Sequence, residues 1–407
     1  MLLLDVLILI ILLVMFTWTL YNLPSLIVGV KQFLRKKNAD KTCKHLNPSN
    51  LPFFSLIVPM KDECDFAGRI LGSLVELDYP RDKYEVIVVD DGSSDGTADV
   101  CLKFSRTYPD LIRYARKNRC EGKPSALNYG LKFAKGQIIG TFDADCLPKA
   151  DVLLRAAEYF QNGDVVALQG YLSPLNAEKS MLSKFIRYEE FVQRYILMLG
   201  KDQLKLFVPL SGTCQFIKRE VLDMLGGWSD NCLAEDMEFS ARLTEKGFKV
   251  KFAPEVRCWH EAPSKLRQLI VQRLRWFRGC MEVGLKYGRL LKRLDLTSLD
   301  AELYFIGSFI MILTLITYIL SLTATFIPFS PNSAVVFMMQ ITSILNFLVL
   351  LTLGVSLALV VKPKKLSNIK WLPFIYLYWT LQIFLAFYAF LCILLRRPRR
   401  WVKTPRV

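Results

Sequence analysis

Apolar residues are gathered into long runs at the two ends of this chain, and the stretch between them is patterned differently. Residues 2–30 are nearly all apolar, broken by Asp5 and Pro24, and residues 304–329, 334–361 and 371–395 form three further runs. A helix needs about 20 consecutive apolar residues to cross a bilayer core, so each run is long enough. The 52% hydrophobic content is too high for a wholly soluble chain of 407 residues, and 22% charged residues are too many for one confined to a membrane. So much apolar surface also excludes intrinsic disorder. The first run is longer than a signal-peptide core and lacks both a basic leader and a small-residue cleavage site, which predicts a retained anchor.

The net charge of +16 is concentrated beside these runs: residues 31–44 carry +5, residues 362–370 carry +4 and residues 396–407 carry +6. In those places basic side chains suit anionic headgroups and topology signals. The remainder is close to neutral, so the basic character does not indicate nucleic-acid binding. The charge after the first run predicts that residue 31 onward is cytoplasmic. Three later crossings would then carry the basic tail outside, against its own charge, so either one C-terminal stretch is re-entrant or interfacial or the tail is an exception to the charge rule. The organisation read from these signals is an N-terminal transmembrane anchor (1–30), a basic linker (31–50), a cytoplasmic domain (51–263), interfacial helices (264–300), C-terminal transmembrane helices (301–395) and a basic tail (396–407). The ten cysteines and two histidines, His45 and His260, form no CxxC pair and no zinc-spaced cluster, which predicts reduced, structural thiols. His260 reads as a satisfied structural histidine.

Between residues 51 and 296 short apolar runs alternate with helical segments. Strands are expected at residues 54–58, 85–89, 111–115, 137–142 and 165–169, and helices at 66–77, 123–134 and 150–160. This alternation predicts an α/β domain with a doubly wound, mostly parallel sheet. Ligands bind beyond the carboxyl ends of strands in such sheets. Asp90 and Asp91 directly follow one apolar strand, and Asp143 and Asp145 follow another. Carboxylates crowded at strand ends repel one another unless something accepts them. A divalent cation with a nucleotide diphosphate is such an acceptor. A lone Asp after a strand is more often a turn former; two clusters on one sheet are harder to dismiss. A dinucleotide site would need GxGxxG after the first strand, where Pro59, Met60, Lys61, Asp62 and Glu63 stand instead. Gly122, Lys123, Pro124 and Ser125 lack the upstream glycine and leading strand of a P-loop.

These residues carry a resemblance. Val58-Pro59 with Glu63, VDDGSSDGT (89–97), GKPSALNYG (122–130) and DAD (143–145) resemble the donor half of family 2 glycosyltransferases. Ser211-Gly212-Thr213 with Phe216 to Arg219, Ala234-Glu235-Asp236, and QRLRW (272–276) resemble the acceptor half, in the order found in membrane-bound poly-N-acetylglucosamine, hyaluronan and cellulose synthases and in ceramide glucosyltransferases. The resemblance implies a GT-A-like domain inserted between the N-terminal helix and the C-terminal helical region. It assigns donor binding to Pro59, Glu63, Asp91, Lys123 and Asp143, with Mg²⁺ or Mn²⁺ on Asp145. Asp236 becomes the general base. Glu235, Gly212, Thr213, Gln272, Arg273, Arg275 and Trp276 would hold the pyrophosphate and the acceptor. A planar arginine suits a pyrophosphate, and Trp276 offers a flat face to a sugar. Read without the resemblance, Glu235 and Asp236 would simply favour a helix start at residues 237–246, Arg273 and Arg275 would be a solvated face of a basic helix at 265–278, and Lys123 a solvated helix start. Asp62 stands where many relatives have Asn, and Ala234 where they have Thr; both departures bear on the donor sugar and neither removes a carboxylate.

The implied function is inverting transfer of a hexose or N-acetylhexosamine from a UDP-sugar to a growing β-linked polysaccharide. The alternative is a single transfer to a lipid, giving a glycolipid or a polyprenyl-phosphate sugar. QxxRW and the C-terminal runs favour the first, and the small number of runs favours the second. A non-enzymatic nucleotide-sugar sensor would lack one of Asp143, Asp145 or Asp236, and all three are present.

Overall fold

The computed structural model describes residues 2–36, 50–161, 163–288, 295–326, 332–360 and 370–399. Most of the basic linker (37–49), the basic stretch 361–369 and the tail from residue 400 lie outside the described residues. Helix α1 (Leu2–Lys36) leads into the first half of the sheet, where β1 (Phe54–Met60), β2 (Tyr84–Asp90), β3 (Ile112–Arg116) and β4 (Ile138–Thr141) pair in parallel in the order β3-β2-β1-β4.

Residues of β1 and β2 alternate between two apolar faces, as a strand covered on both sides requires. Leu56, Val58, Val86 and Val88 pack with Ala67, Ile70, Leu71 and Leu74 of α2 (Cys64–Val75), with Cys101 of α3 (Thr97–Thr107) and with α5 (Val152–Phe160). Ile57, Ile87 and Val89 face the other way, onto Ala126 and Leu127 of α4 (Lys123–Leu131). The doubly wound expectation holds here.

The second half of the sheet is mixed. β5 (Leu147–Pro148), β6 (Ala167–Pro174), β7 (Gln215–Lys218) and β8 (Val250–His260) extend the order as β4-β7-β6-β8-β5. β7 runs antiparallel to β4 and β6, β5 antiparallel to β8, and β6 parallel to β8. Four pairings of seven are therefore parallel. Between β6 and β7 the chain makes α6 (Met181–Glu190), a π-helical turn (Phe191–Leu197) and α7 (Met198–Gln203). Between β7 and β8 lie α8 (Arg219–Met224) and α9 (Glu235–Glu245), and α10 (Leu266–Tyr287) follows β8. The C-terminal region is α11 (Leu296–Phe326), α12 (Ser333–Val360) and α13 (Leu372–Leu394).

Among the described residues, Asp5–Arg35, Leu296–Leu320 and Pro373–Leu394 are long and apolar enough to cross a membrane, and a shorter apolar segment, Ser333–Leu345, opens α12. α1 and α11 are fastened to the domain by a buried ion pair. Lys201 of α7 lies 2.8 Å from Asp300 of α11, whose carboxylate also accepts the Phe207 N–H and the Tyr21 hydroxyl of α1. Gly200 lets α7 approach α1 backbone to backbone, since a Cβ there would meet the Ser25 carbonyl. α13 is tied to the rest of the chain near its start and just past its end. The Tyr378 hydroxyl donates to Glu189, and the Arg278 guanidinium of α10 donates to the carbonyls of Arg397 and Pro398 just past α13. Arg399 pairs with Glu282 of α10 at 3.0 Å. Arg397, Pro398 and Arg399, just past α13, thus sit beside α10.

Candidate active site

Beyond the carboxyl ends of β1, β2 and β4 the acidic residues divide into two groups. Those after β2 are used locally. The Asp90 carboxylate accepts the Ser93 N–H and the Tyr114 hydroxyl at 2.7 and 2.8 Å. Asp91 accepts the backbone N–H groups of Glu121 and Gly122 and pairs with Lys117 at 3.2 Å. Asp91 therefore shapes the loop that leads into α4. Pro59 and Glu63 lie nearby, at the end of β1 and the start of α2; the Glu63 N–H donates to Thr97.

The carboxylates after β4 face a cavity of about 550 Å³. Its walls carry Lys123, Asp143, Asp145, Thr213, Glu235, Asp236, Gln272, Arg273, Arg275 and Trp276 together, although these residues are spread over the segment after β4, the segment before β7 and three helices. Pro59, Glu63, Asp91 and Gly212 are not part of that wall.

Lys123 organises the acidic part of the cavity. Its ammonium lies 2.7 Å from Asp143 and 3.1 Å from Glu235, and donates to the Gly212 carbonyl at 2.9 Å. Burial alone would lower its pKa, but Asp143, Glu235 and Asp236 hold it above the ordinary lysine value. It is an anchored charge and not a solvated helix start. Gly212 makes this packing possible: its φ is +75°, and a Cβ would stand 2.9 Å from the Lys123 Nζ and 3.2 Å from the Asp236 Oδ2. Burial raises the Asp143 carboxyl, with Asp145 opposing its ionisation and Lys123 favouring it. The Asp143 N–H donates to the Thr213 hydroxyl at 3.0 Å, which ties β4 to the segment before β7.

Asp236 is in the first turn of α9, where the N-cap residue Ala234 offers no side-chain cap. One Asp236 oxygen accepts the Met237 N–H at 2.8 Å. Burial and then Glu235 push its carboxyl up to about 6, against the opposing effects of Lys123 and Arg275. A carboxylate raised in this way is a stronger base near neutral pH than an exposed one.

The α10 residues differ in what they leave available. Arg273 is buried and committed: it donates to Glu189 at 2.5 Å and to the Tyr378 hydroxyl at 3.2 Å. Gln382 of α13 also donates to Glu189, at 3.1 Å. Arg275 has a buried Nε without a hydrogen-bond partner. The Trp276 ring has the Arg273 and Arg194 guanidinium carbons 4.6 and 5.3 Å from its centroid, so these cations share the ring with any sugar that stacks there.

Sequence reasoning missed part of the wall. Glu189, Glu190 and Arg194, from α6 and the π-helical turn, line it. His260 is satisfied, as expected, by Glu190 at 2.9 Å, but it also faces the cavity. Burial opposes the charged imidazole while Glu190 favours it, and its pKa is raised on balance. Trp18, Tyr21 and Asn22 of α1 and Tyr304, Gly307, Ser308 and Met311 of α11 complete the far end. No motif marks these positions; helix packing alone brings them in.

Among the described residues, no three His, Cys, Asp or Glu side chains are grouped to hold an ion by themselves. Asp145 and Asp143 offer hard oxygen ligands at the strand end, which suits an ion shared with a diphosphate.

Comparison with known proteins agrees with this geometry. Residues 52–279 match the family model described as "Glycosyltransferase like family 2". The chain belongs to the family 2 glycosyltransferases. It is 33% identical over 244 residues to the probable glycosyltransferase YdaM of Bacillus subtilis, covering 59% of this chain and 58% of that protein. It is 31% identical over 250 residues to a beta-monoglucosyldiacylglycerol synthase of Trichormus variabilis (60% and 52% covered) and 28% identical over 243 residues to a poly-beta-1,6-N-acetyl-D-glucosamine synthase of Staphylococcus aureus (59% and 58%). The chain thus spans a little over half the length of these curated relatives. Among solved structures, a mannosyltransferase from Pyrobaculum calidifontis in complex with GDP-Man and Mn²⁺ superposes with a TM-score of 0.65 at 22% identity, covering 95% of this chain and all of that one. The fold is GT-A-like, with apolar helices at both ends.

Proposed function

We propose that this glycosyltransferase moves a hexose or N-acetylhexosamine from a UDP-sugar to a hydroxyl of a membrane lipid, with inversion at the anomeric carbon. One observation carries the reading. The cavity that holds Asp143, Asp145 and Asp236 continues to Trp18, Gly307 and Met311, on two helices long and apolar enough to cross a membrane. An acceptor reaching the base from that end approaches from the bilayer.

In this mechanism Asp236 takes the proton from the acceptor hydroxyl while its oxygen attacks the anomeric carbon and the bond to the diphosphate breaks. One base and one displacement invert the centre. Lys123 fixes Asp143 and Glu235 around the donor, and Arg275 offers its unpaired guanidinium to the leaving diphosphate. Asp145 would hold a divalent ion, which supplies charge neutralisation to the diphosphate when bound. Asp91 supports the donor through the loop it holds. The domain would face the cytoplasm, on the side of the basic segments. The monoglucosyldiacylglycerol synthase is a relative whose name states a lipid product, and this supports the reading.

Polymer synthesis remains the second reading, favoured by QRLRW and by the poly-N-acetylglucosamine synthase relative. Against it, the Trp276 ring already carries two guanidinium groups. Membranes containing the chain, incubated with radiolabelled UDP-glucose, UDP-galactose and UDP-N-acetylglucosamine, test the choice. Label extracted into chloroform–methanol, and absent with Asp236→Asn, is the expected result. Label confined to an ethanol-insoluble polymer would overturn the lipid reading.

A further inference from the structure

The charges along the cavity bear on the kind of lipid, on the footing that the acceptor is a lipid. Among the described residues nearly every cation of the wall lies against a carboxylate, and Arg194 and His260 share one. Lys123 is held by Asp143 and Glu235, Arg273 by Glu189 at 2.5 Å, and Lys201 by Asp300 at 2.8 Å. Arg194 faces Glu190 at 3.7 Å and lies over Trp276, and His260 also rests on Glu190. Arg275 is the cation of the wall with no ion pair among the described residues, and it stands close enough to Asp236 to favour that residue's ionised form. The donor's diphosphate, which must sit beside the reacting carbon, takes that guanidinium.

The bilayer end is different in character. Trp18, Asn22, Gly307, Ser308 and Met311 carry no charge, and Lys201, the ammonium at that end, is neutralised by Asp300. A second phosphate, brought in by the acceptor, would find no free cation among the described residues. It would also have to approach the Asp236 carboxylate, whose charge repels it. An anion buried without a partner is costly, whereas an alcohol needs only one acceptor for its proton, which Asp236 provides, and hydrogen-bonding neighbours such as Asn22 and Ser308.

We propose that the acceptor is an uncharged lipid alcohol, of the diacylglycerol type, and not a lipid phosphate. The product is then a neutral O-glycoside: the new bond joins the anomeric carbon to the alcohol oxygen, the proton passes to Asp236, and the nucleoside diphosphate leaves.

The test uses membranes containing the full chain, the three radiolabelled UDP-sugars, and added dioleoylglycerol or polyprenyl phosphate, with Asp236→Asn membranes as the blank. Expected is Asp236-dependent lipid label that passes through an anion exchanger and survives mild acid. Dioleoylglycerol should be used at least about tenfold better than polyprenyl phosphate, the least that one unpaired buried anion should cost. Lipid label that binds the exchanger and is released by mild acid would overturn this inference and leave the lipid reading standing. Asp236-dependent label found only in polymer, or in no lipid fraction, would overturn both.

Discussion

Asp236→Asn is expected to lower turnover by about 10³-fold or more while UDP still binds. The substitution keeps the shape of the side chain and its contact with the Met237 N–H, and removes the charge with which it accepts a proton. General-base groups contribute about 10²–10⁴-fold, and no second carboxylate of the wall is equally placed. Glu235 is tied to Lys123 at 3.1 Å, and Asp143 to the same ammonium at 2.7 Å. The same assignment fixes a pH dependence. Burial and Glu235 raise the Asp236 carboxyl to about 6. A base works only when deprotonated, so kcat/KM should fall about tenfold per pH unit below about 6 and level off above it. Turnover of the variant within a few fold of the parent protein, or a flat profile through pH 5, would remove Asp236 from this role.

Asp145→Asn is expected to cost about 10²-fold or more in kcat, and EDTA should bring the parent protein to a similarly low rate, restored by Mn²⁺ or Mg²⁺. Asp145 is buried at the wall of the cavity, just past β4. A neutral amide there would be a far poorer ligand for a hard cation, and each 1.4 kcal/mol lost from transition-state stabilisation is about tenfold in rate. Binding of Mn²⁺ in the presence of UDP, followed by electron paramagnetic resonance, separates loss of the ion from loss of the fold. Activity indifferent to chelation, with the ion absent, would place charge neutralisation on Arg275 and Lys123 alone.

The parts of the molecule legible in the sequence are those whose residues carry a local signal. β1, β2 and β4 are continuous apolar runs because both faces of the sheet are covered, and the acidic residues that end β4 stand where a doubly wound sheet places ligands. Asp236 and Arg275 were legible only as parts of motifs. The far half of the sheet was not legible. β8 reads VKFAPEVRCWH, in which Pro254 and three charged residues interrupt any run or alternation. Its pairing is fixed by β6 and β5, with a register shift between Gly170 and Tyr171, and not by its own pattern. Asp90 and Asp91 look like a ligand pair in sequence, yet their hydrogen bonds with the loops that follow use most of their capacity. Arg273 stands beside the motif arginine but faces Glu189 and Tyr378, because α13 packs along α10. Glu190, Arg194 and the α1 and α11 residues have no sequence signature. They belong to the site because the Lys201–Asp300 pair and close helix packing draw the apolar helices against the domain.

A structure of the protein in lipid nanodiscs with UDP and Mn²⁺ would show whether one cavity joins the carboxylates after β4 to the apolar helices α1 and α11. The diphosphate should lie between Asp145 and Arg275, with the passage to Trp18 and Met311 left free and lined by lipid. A nucleotide bound away from Asp145, or a protein wall separating Asp236 from Trp18 and Met311, would contradict it.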